Sequence, residues 1–222
     1  YMLTGSARNA NQTDSIFMLR CDTDGTMMWF KLFAQGSVEI SGNSIQPTLD
    51  GGSIIGGHYF PTPTVQNIVL AKVDAFGGVI WSKGIAVDND AQATCVRAVS
   101  DSGFIITGEA ARRVFLVKTN KNGTVLWSKV YIGSAPYDIG NTVSETADGG
   151  FIVSGTLTND TSGVSRMFLM KTNSDGDMQW AQSYVGMSEY PLTANGADAL
   201  QTSDGGYALT GHTVQPGSGA TY

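Results

Sequence analysis

The sequence has little charge, little proline and few cysteines. Of its 222 residues, 14% are charged, six are proline and two are cysteine. Because the chain also holds four Trp, eight Tyr and nine Phe, its composition excludes a disordered segment. No apolar stretch approaches the roughly 20 residues of a membrane-spanning helix. Cys21 and Cys95 are too few for a disulfide framework, and it stays open whether they are bonded or free. We expect a soluble, ordered protein without membrane insertion.

Clusters of basic residues are absent as well. The 13 Lys and Arg are scattered among 19 Asp and Glu, which gives a net charge of −6 and a pI of about 4.7. Binding to nucleic acid depends on clustered Lys and Arg that displace counterions from the phosphates. We therefore expect no nucleic-acid partner.

What the sequence does have is a repeat, marked by its four Trp residues. Each Trp follows a basic residue by nine positions and a Gly by four. The Trp residues are Trp29, Trp81, Trp127 and Trp180, and the basic residues are Arg20, Lys72, Lys118 and Lys171. A second landmark, Asp-Gly-Gly or Asp-Ser-Gly, begins at Asp50, Asp101, Asp148 and Asp204. The landmarks divide the chain into four units of about 51 residues, 1–52, 53–103, 104–150 and 151–206, and a partial fifth, 207–222.

Each unit predicts four β-strands. The first is expected at 45–49 and its equivalents, and the Asp-Gly-Gly turn leads into a second strand such as 151–155. A continuous apolar run such as 114–117 predicts a third strand buried on both faces. A turn rich in Asp, Asn and Gly, such as 22–25, then leads into a fourth strand that carries the Trp. Tandem four-stranded units of this length are typical of a β-propeller, in which each unit is one blade. The sequence therefore predicts an all-β, single-domain propeller over residues 1–222.

The two ends of the chain hold equivalent positions of the repeat. Residues 1–16 and 207–222 would compete for one slot if four blades closed into a ring. One interpretation is that the chain is a section of a larger propeller. The other is that the spare strand pairs with a neighbouring molecule and builds filaments by strand exchange.

Length differences between units are confined to two of the four connections in each unit. These connections join the second strand to the third, and the fourth strand to the next unit. In an up-and-down blade both emerge on one face, here called the variable-loop face, and both tight turns lie on the opposite turn face. Variable loops on a rigid scaffold carry contacts, so we expect this face to bind a protein or glycan partner through Tyr59, Phe60 and Tyr190. The alternative is a solvated rim without a ligand. The segments of this face include 6–15, 58–67, 156–165 and 186–196.

The Asp-Gly-Gly turn, the Lys and the Trp recur together, as in 148–155 followed by 168–180. This combination resembles the Asp-Gly-Gly propeller repeats of large secreted and cell-surface proteins of bacteria, archaea and some protists. The resemblance covers nearly the whole chain. It implies adhesion, surface coating or assembly, and it supplies no catalytic residues. Kelch propellers are a more distant likeness, because Gly56-Gly57 resembles their Gly pair while the other units have Thr-Gly or Ser-Gly there.

No residue pattern predicts catalysis, a metal or a cofactor. The run Asp22–Gly25 alternates carboxylates like a calcium loop but lacks the bidentate Glu, and a hairpin turn explains it better. His58 and His212 occupy the same repeat position, where separate blades would hold them apart, so we expect no zinc site or acid–base pair. The basic residue of each unit is expected to pair with or cap the turn whose Asp or Asn stands two positions on. A propeller hydrolase would depend on carboxylates such as Glu39, Glu109, Glu145 and Glu189.

Three Asn-X-Thr sequons, at Asn11, Asn122 and Asn159, fall in predicted loops or turns. They predict glycosylation if the protein is secreted by a eukaryote. The sequence thus favours a non-catalytic propeller, extracellular or on the cell surface, that acts as a structural or adhesive scaffold. The alternatives are a glycan- or peptide-binding module, a filament subunit that assembles by terminal strand exchange, and a propeller hydrolase.

Overall fold

The computed structural model describes residues 1–8, 14–33, 39–88, 90–131, 137–159, 164–184 and 193–214. Every regular element within these ranges is a β-strand, and none of the ranges contains a helix that could cross a membrane. The strands are β1 (Met2–Arg8), β2 (Asp14–Cys21), β3 (Met27–Phe33), β4 (Ile40–Pro47), β5 (Ser53–Thr62), β6 (Val65–Val73), β7 (Val79–Ile85), β8 (Ala91–Ala98), β9 (Phe104–Ala110), β10 (Arg113–Thr119), β11 (Val125–Tyr131), β12 (Tyr137–Glu145), β13 (Phe151–Asn159), β14 (Val164–Thr172), β15 (Met178–Tyr184), β16 (Thr193–Gln201) and β17 (Tyr207–Val214).

The strands form five antiparallel sheets in chain order, and none of these sheets closes into a barrel. Sheet 2 (β4–β7), sheet 3 (β8–β11) and sheet 4 (β12–β15) each contain four strands that pair with their neighbours in sequence. Sheet 1 (β1–β3) contains three and sheet 5 (β16–β17) contains two. Strand β1 pairs with β2 as β5 pairs with β6, and β17 pairs with β16 as β5 pairs with β4. The all-β class and the unit of four strands are therefore confirmed, and β1 and β17 both hold the second-strand position.

The predicted position of the first strand is wrong. In sheet 2 this strand covers Ile40–Pro47 and not 45–49. A shift in register between Gly42 and Ser44 marks a β-bulge, and the other three first strands shift at the same point. A bulge breaks the alternation of apolar and polar side chains by one residue. For this reason the sequence shows no clean strand pattern before residue 45.

The predicted loops of the variable-loop face are shorter than expected. At 58–67, β5 continues to Thr62 and β6 begins at Val65, so most of the segment is a β-hairpin. Tyr59 pairs with Asn67 in the ladder and also packs on the core between sheets 1 and 2. Backbone pairing satisfies the polar groups of the chain, and side-chain burial favours extending both strands. In the same way, β13 and β14 extend through most of 156–165.

The core lies between successive sheets. Four clusters of buried apolar side chains join sheet 1 to sheet 2, sheet 2 to sheet 3, sheet 3 to sheet 4 and sheet 4 to sheet 5. The third strands supply both faces, as predicted: Phe115, Leu116 and Val117 are all fully buried. A strand covered on both sides is apolar at consecutive positions, which explains the continuous runs in the sequence.

The first strands of neighbouring sheets are joined by a repeated hydrogen bond. The side chain at the bulge of one sheet donates to a main-chain carbonyl at the bulge of the next sheet. The donor and acceptor pairs are Asn43 Nδ2 and Ala93 O at 2.8 Å, Thr94 Oγ1 and Gly140 O, and Asn141 Nδ2 and Gly196 O. The bulge therefore places one polar side chain per sheet where it can reach the adjacent sheet.

The Trp of the fourth strand makes the second repeated contact in sheets 1, 2 and 3. Its ring lies against the Gly of the third-to-fourth hairpin in the next sheet, and a Cβ on that Gly would come within 2.7–2.8 Å of the ring. The pairs are Trp29 with Gly77, Trp81 with Gly123 and Trp127 with Gly176. Each of these Gly residues also has φ between 72° and 77°, where a side chain would be strained. Trp and Gly recur together because the Trp ring fills the space that the Gly, which has no side chain, leaves open.

Candidate functional site

Three of the basic residues of the repeat form ion pairs in which the Lys is buried and the Asp is exposed. Three Lys residues on third strands are buried, and each ammonium bonds an Asp in the turn between the first and second strands of its own sheet. The pairs are Lys72 with Asp50 at 2.9 Å, Lys118 with Asp101 at 2.7 Å and Lys171 with Asp148 at 2.9 Å. Each ammonium also donates to the carbonyl of the residue that follows it. Hydrogen bonds from Thr48, Lys72 and Gly52 lower the pKa of Asp50 to about 2. This contact between Lys and Asp confirms that the two tight turns of a sheet, between its first and second and between its third and fourth strands, lie at the same end of the sheet.

These Lys residues thus have a repeated structural role, but they pair with the turn between the first and second strands and not with the Asp or Asn two positions on. The Asp or Asn two positions on caps its own hairpin instead, as Asn173 does by accepting from the N–H groups of Asp175 and Asp177. Asp22–Gly25 has the same arrangement, so the predicted hairpin turn is confirmed. In sheet 1, Arg20 donates to the carbonyl of Ala75 in sheet 2.

The last Gly of the Asp-Gly-Gly turn leaves room for the Lys. A Cβ at Gly150 would lie 2.2 Å from the carbonyl oxygen of Thr172 and 2.5 Å from Nζ of Lys171. Gly52 and Gly103 show the same crowding. The landmark is thus a structural unit in which turn, Gly and Lys require one another, and it has no free charge to offer a ligand.

Of the predicted aromatic contacts, Tyr59 and Phe60 lie at the end of β5 on the variable-loop face. Both are half-buried. The Tyr59 ring lies over Gly84 of β7, and Phe60 packs edge-on against His58 with ring centroids 5.7 Å apart. Tyr190 lies outside the described residues. A role for these residues in binding stays a prediction.

Of the three sequons, Asn122 lies exposed in the hairpin between β10 and β11. Its main-chain N–H donates to Oδ1 of Asn120 at 3.0 Å, which leaves its side chain free of the turn's own hydrogen bonds. Asn159 is the last residue of β13 and pairs with Val164. Asn11 lies outside the described residues.

Histidine and cysteine do not gather into a site. His58 lies near the Asn43 amide at 3.4 Å and His212 near the Asn195 amide at 3.1 Å, each within its own sheet. Burial lowers the pKa of His58. Cys21 and Cys95 are free thiols. Within the described ranges no three His, Cys, Asp or Glu side chains are placed to hold a metal ion. Of the Glu residues a hydrolase would need, Glu145 accepts two hydrogen bonds from Ser100, and Glu189 is not among the described residues.

The residue that sequence reasoning missed is Asp138, near the start of β12. Its side chain is buried, with 1% of the residue exposed. Neither carboxylate oxygen has a hydrogen-bond partner among the described residues. Its main-chain N–H donates to the carbonyl of Arg112 at 3.0 Å, and it pairs with Leu157 in the ladder. Burial raises the pKa of Asp138 to about 6, because a charge without a partner is unfavourable away from water.

Asp138 lines a cavity of about 250 Å³ between sheets 3 and 4. The wall of the cavity that borders the core is apolar, and few of the atoms that line the cavity are polar. The lining residues are Val114 and Tyr131 from sheet 3 and Asp138, Leu157, Phe168, Met170, Met178, Ala181, Gln182 and Ser183 from sheet 4. The Tyr131 hydroxyl donates to the carbonyl of Gly176 at 2.7 Å, and burial raises its pKa. Asp138 is thus the only carboxylate among the lining residues.

Comparison of the repeats shows how unusual this carboxylate is. The bulges align Asp138 with Ile40, Ala91 and Ala194 in the other first strands. All three of these residues are buried and apolar. Among the four described first strands, β12 alone therefore carries an ionisable group at this core position. The signal was present in the sequence, but finding it requires the bulge register, since Asp138 ends the run 133–138, whose Gly, Ser and Pro are typical of a loop.

No protein-family model matches the chain, and no curated protein matches it.

Proposed function

We propose that the five sheets are complete and partial blades of a β-propeller, and that the protein is a non-catalytic scaffold outside the cell or on its surface. The repeated junction carries this proposal. Sheets 2 and 3, and likewise sheets 3 and 4, meet through the same two contacts, the bulge side chain to a first-strand carbonyl and the Trp to a hairpin Gly. Sheets 4 and 5 share the first of these contacts, and sheets 1 and 2 share the second. Equal junctions rotate each sheet by an equal angle, and repeated rotation about the first strands builds a disc. The chain would then be a section of a larger propeller.

Two features support a surface role for this disc. The Asp-Gly-Gly, Lys and Trp unit resembles repeats of secreted and cell-surface proteins, in which the disc serves adhesion or assembly. The turn face is occupied by ion pairs that satisfy their own charges, whereas the variable-loop face is free to differ from sheet to sheet. Protein or glycan partners would therefore meet the variable-loop face, and glycans at Asn122 would project from the turn face without blocking it.

An array of glycans and surface-protein peptides tests this function. Binding should fall when Tyr59 or Phe60 is replaced by Ala. The matched control is Phe76→Ala, because Phe76 is an exposed aromatic residue on the turn face, and it should leave binding unchanged. Equal losses in all three variants would contradict recognition by the variable-loop face. Turnover of fluorogenic glycoside substrates by the purified protein would contradict a non-catalytic role.

Self-assembly is a second candidate function, and the two end sheets favour it. Trp180 packs on Tyr207 with ring centroids 5.4 Å apart, but the described part of sheet 5 has no third-to-fourth hairpin to lie against it. At the other end, Gly25 has open space where its equivalents meet a Trp. In sheet 5, Asp204 accepts hydrogen bonds from Thr202 and Gly206 of its own turn, whereas the equivalent Asp residues of sheets 2, 3 and 4 also bond a Lys. Sheet 5 of one copy and sheet 1 of another are complementary in these contacts.

Sedimentation velocity over a range of protein concentrations tests self-assembly. The assemblies should grow with concentration, and deletion of residues 207–222 should abolish growth without unfolding the remaining sheets. A protein that sediments as a monomer at every concentration would contradict this candidate, and so would assembly that is indifferent to the deletion.

A further inference from the structure

The Asp138 cavity has features of a binding site that the packing of the sheets does not require. Sheets 2, 3 and 5 have Ile40, Ala91 and Ala194 at this position, and each of these side chains is buried against the neighbouring sheet without a charge. A buried carboxylate that has no hydrogen-bond partner among the described residues is unfavourable in an apolar surrounding. Asp138 is therefore a costly choice for a core position, and a compensating partner from outside the chain explains it.

The chemistry of the lining limits what that partner can be. The carboxylate of Asp138 excludes anions, which it would repel. Ca²⁺ and Mg²⁺ take six or more oxygen ligands and Zn²⁺ prefers Cys and His, whereas the lining residues offer one carboxylate beside Gln182 and Ser183. Val114, Leu157 and Phe168 form an apolar wall next to the acid. The cavity thus combines one negative charge with a surface that favours hydrocarbon.

The size of the cavity sets the length of the ligand. An apolar cavity of about 150 Å³ accepts one benzene molecule, so about 250 Å³ accommodates a group of roughly six to ten non-hydrogen atoms. Phe168 and Tyr131 also present aromatic rings, whose faces attract cations.

We propose that the Asp138 cavity binds a primary ammonium group carried on a short apolar chain. The ammonium pairs with the Asp138 carboxylate, and the chain lies against Val114, Leu157 and Phe168. Two sources share this chemistry, a free alkylamine and a lysine side chain of a partner protein.

Titration calorimetry with n-pentylammonium, and with 1-pentanol as the neutral analogue, tests the proposal. Pentylammonium should bind about tenfold or more tightly than pentanol, because the ammonium forms a hydrogen-bonded ion pair with the carboxylate whereas the alcohol has no charge. Asp138→Asn and Asp138→Ala should each remove that preference. The matched control Asp175→Asn also removes one negative charge, from an exposed hairpin, and should keep the preference.

Circular dichroism and thermal unfolding of each variant establish that it is folded before binding is compared. A lysine blocked at both ends of its main chain distinguishes the two sources. Binding of the blocked lysine as tightly as pentylammonium indicates a partner's side chain, and binding of pentylammonium alone indicates a free amine. Equal affinity for pentanol and pentylammonium would overturn the proposal. The same holds if a folded Asp138→Asn variant keeps the preference, or if neither amine gives measurable heat at millimolar concentration.

Discussion

Replacing Asp138 by Asn should change how the stability of the protein depends on pH. Burial raises the pKa of Asp138 from 3.8 to about 6 in the folded protein, and a shift of about two units corresponds to about 3 kcal/mol. The folded state holds its proton more tightly than the unfolded state. Between these two pKa values the native protein therefore binds more protons, and its stability falls as the pH rises. The cost is absent below the unfolded pKa and complete above the folded one.

Asn cannot ionise, so the variant lacks this contribution at every pH. Carboxylates such as Asp50 and Asp148 act in the opposite direction, since hydrogen bonds lower their pKa and their contribution is lost in acid. That loss is the same in both proteins and cancels in the difference. Relative to the variant, the wild type should therefore lose about 3 kcal/mol of unfolding free energy between pH ~4 and pH ~7.5.

Urea unfolding of both proteins across this pH range, followed by Trp fluorescence, measures the difference directly. A difference in unfolding free energy that stays constant with pH would refute the reasoning, because it would mean that Asp138 titrates alike in the folded and unfolded states. The reasoning would also be refuted if the unfolding free energy of the wild type fell relative to the variant as the pH fell, since that result would require a partner that stabilises the Asp138 carboxylate.

Three further predictions concern the repeat landmarks, and each is checked by chemical denaturation. Gly149→Ala is strained only by its positive φ of 76° and should cost about 1–2 kcal/mol, whereas Gly150→Ala should cost more because its Cβ would clash with the Thr172 carbonyl oxygen and with Lys171. Equal costs would contradict the crowding described at Gly150. Asp148→Asn leaves a buried ammonium and should cost about 3 kcal/mol, but Lys171→Met leaves an exposed carboxylate and should cost about 1 kcal/mol; the reverse order would contradict the account of the pair. Trp127→Ala should cost about 3–5 kcal/mol, and a loss under 1 kcal/mol would mean that the Trp does not hold sheets 3 and 4 together.

The sequence was sufficient for the parts of the fold that depend on one residue type in one place. A Trp needs a facing Gly, and a buried Lys needs an Asp and a Gly in the adjacent turn, so these residues recur at fixed spacing. The partner of the Lys was misassigned, because strand pairing brings Asp148 and Lys171 together from positions 23 apart. Nothing in the local sequence distinguishes that Asp from the Asn two positions after the Lys.

The first strands and the Asp138 cavity could not be found by periodicity. Each first strand contains a bulge, which shifts the alternation of buried and exposed side chains by one residue. Asp138 follows a run with the Gly, Ser and Pro of a loop and precedes such a bulge, so its core position is visible only once the register aligns it with Ile40 and Ala91. The cavity also depends on side chains from two sheets, and their approach is a property of the junction between the sheets.

Distances between spin labels at equivalent positions of successive sheets test the central claim, that the sheets are blades of a propeller. The label sites are exposed residues of the third-to-fourth hairpins, with both native cysteines replaced by Ser: Asp24, Phe76, Asn122 and Asp175. On a ring, the distance from the first label should increase by a smaller amount with each further sheet, because the chain curves back on itself. Distances that grow in direct proportion would show a straight stack of sheets and would contradict the propeller.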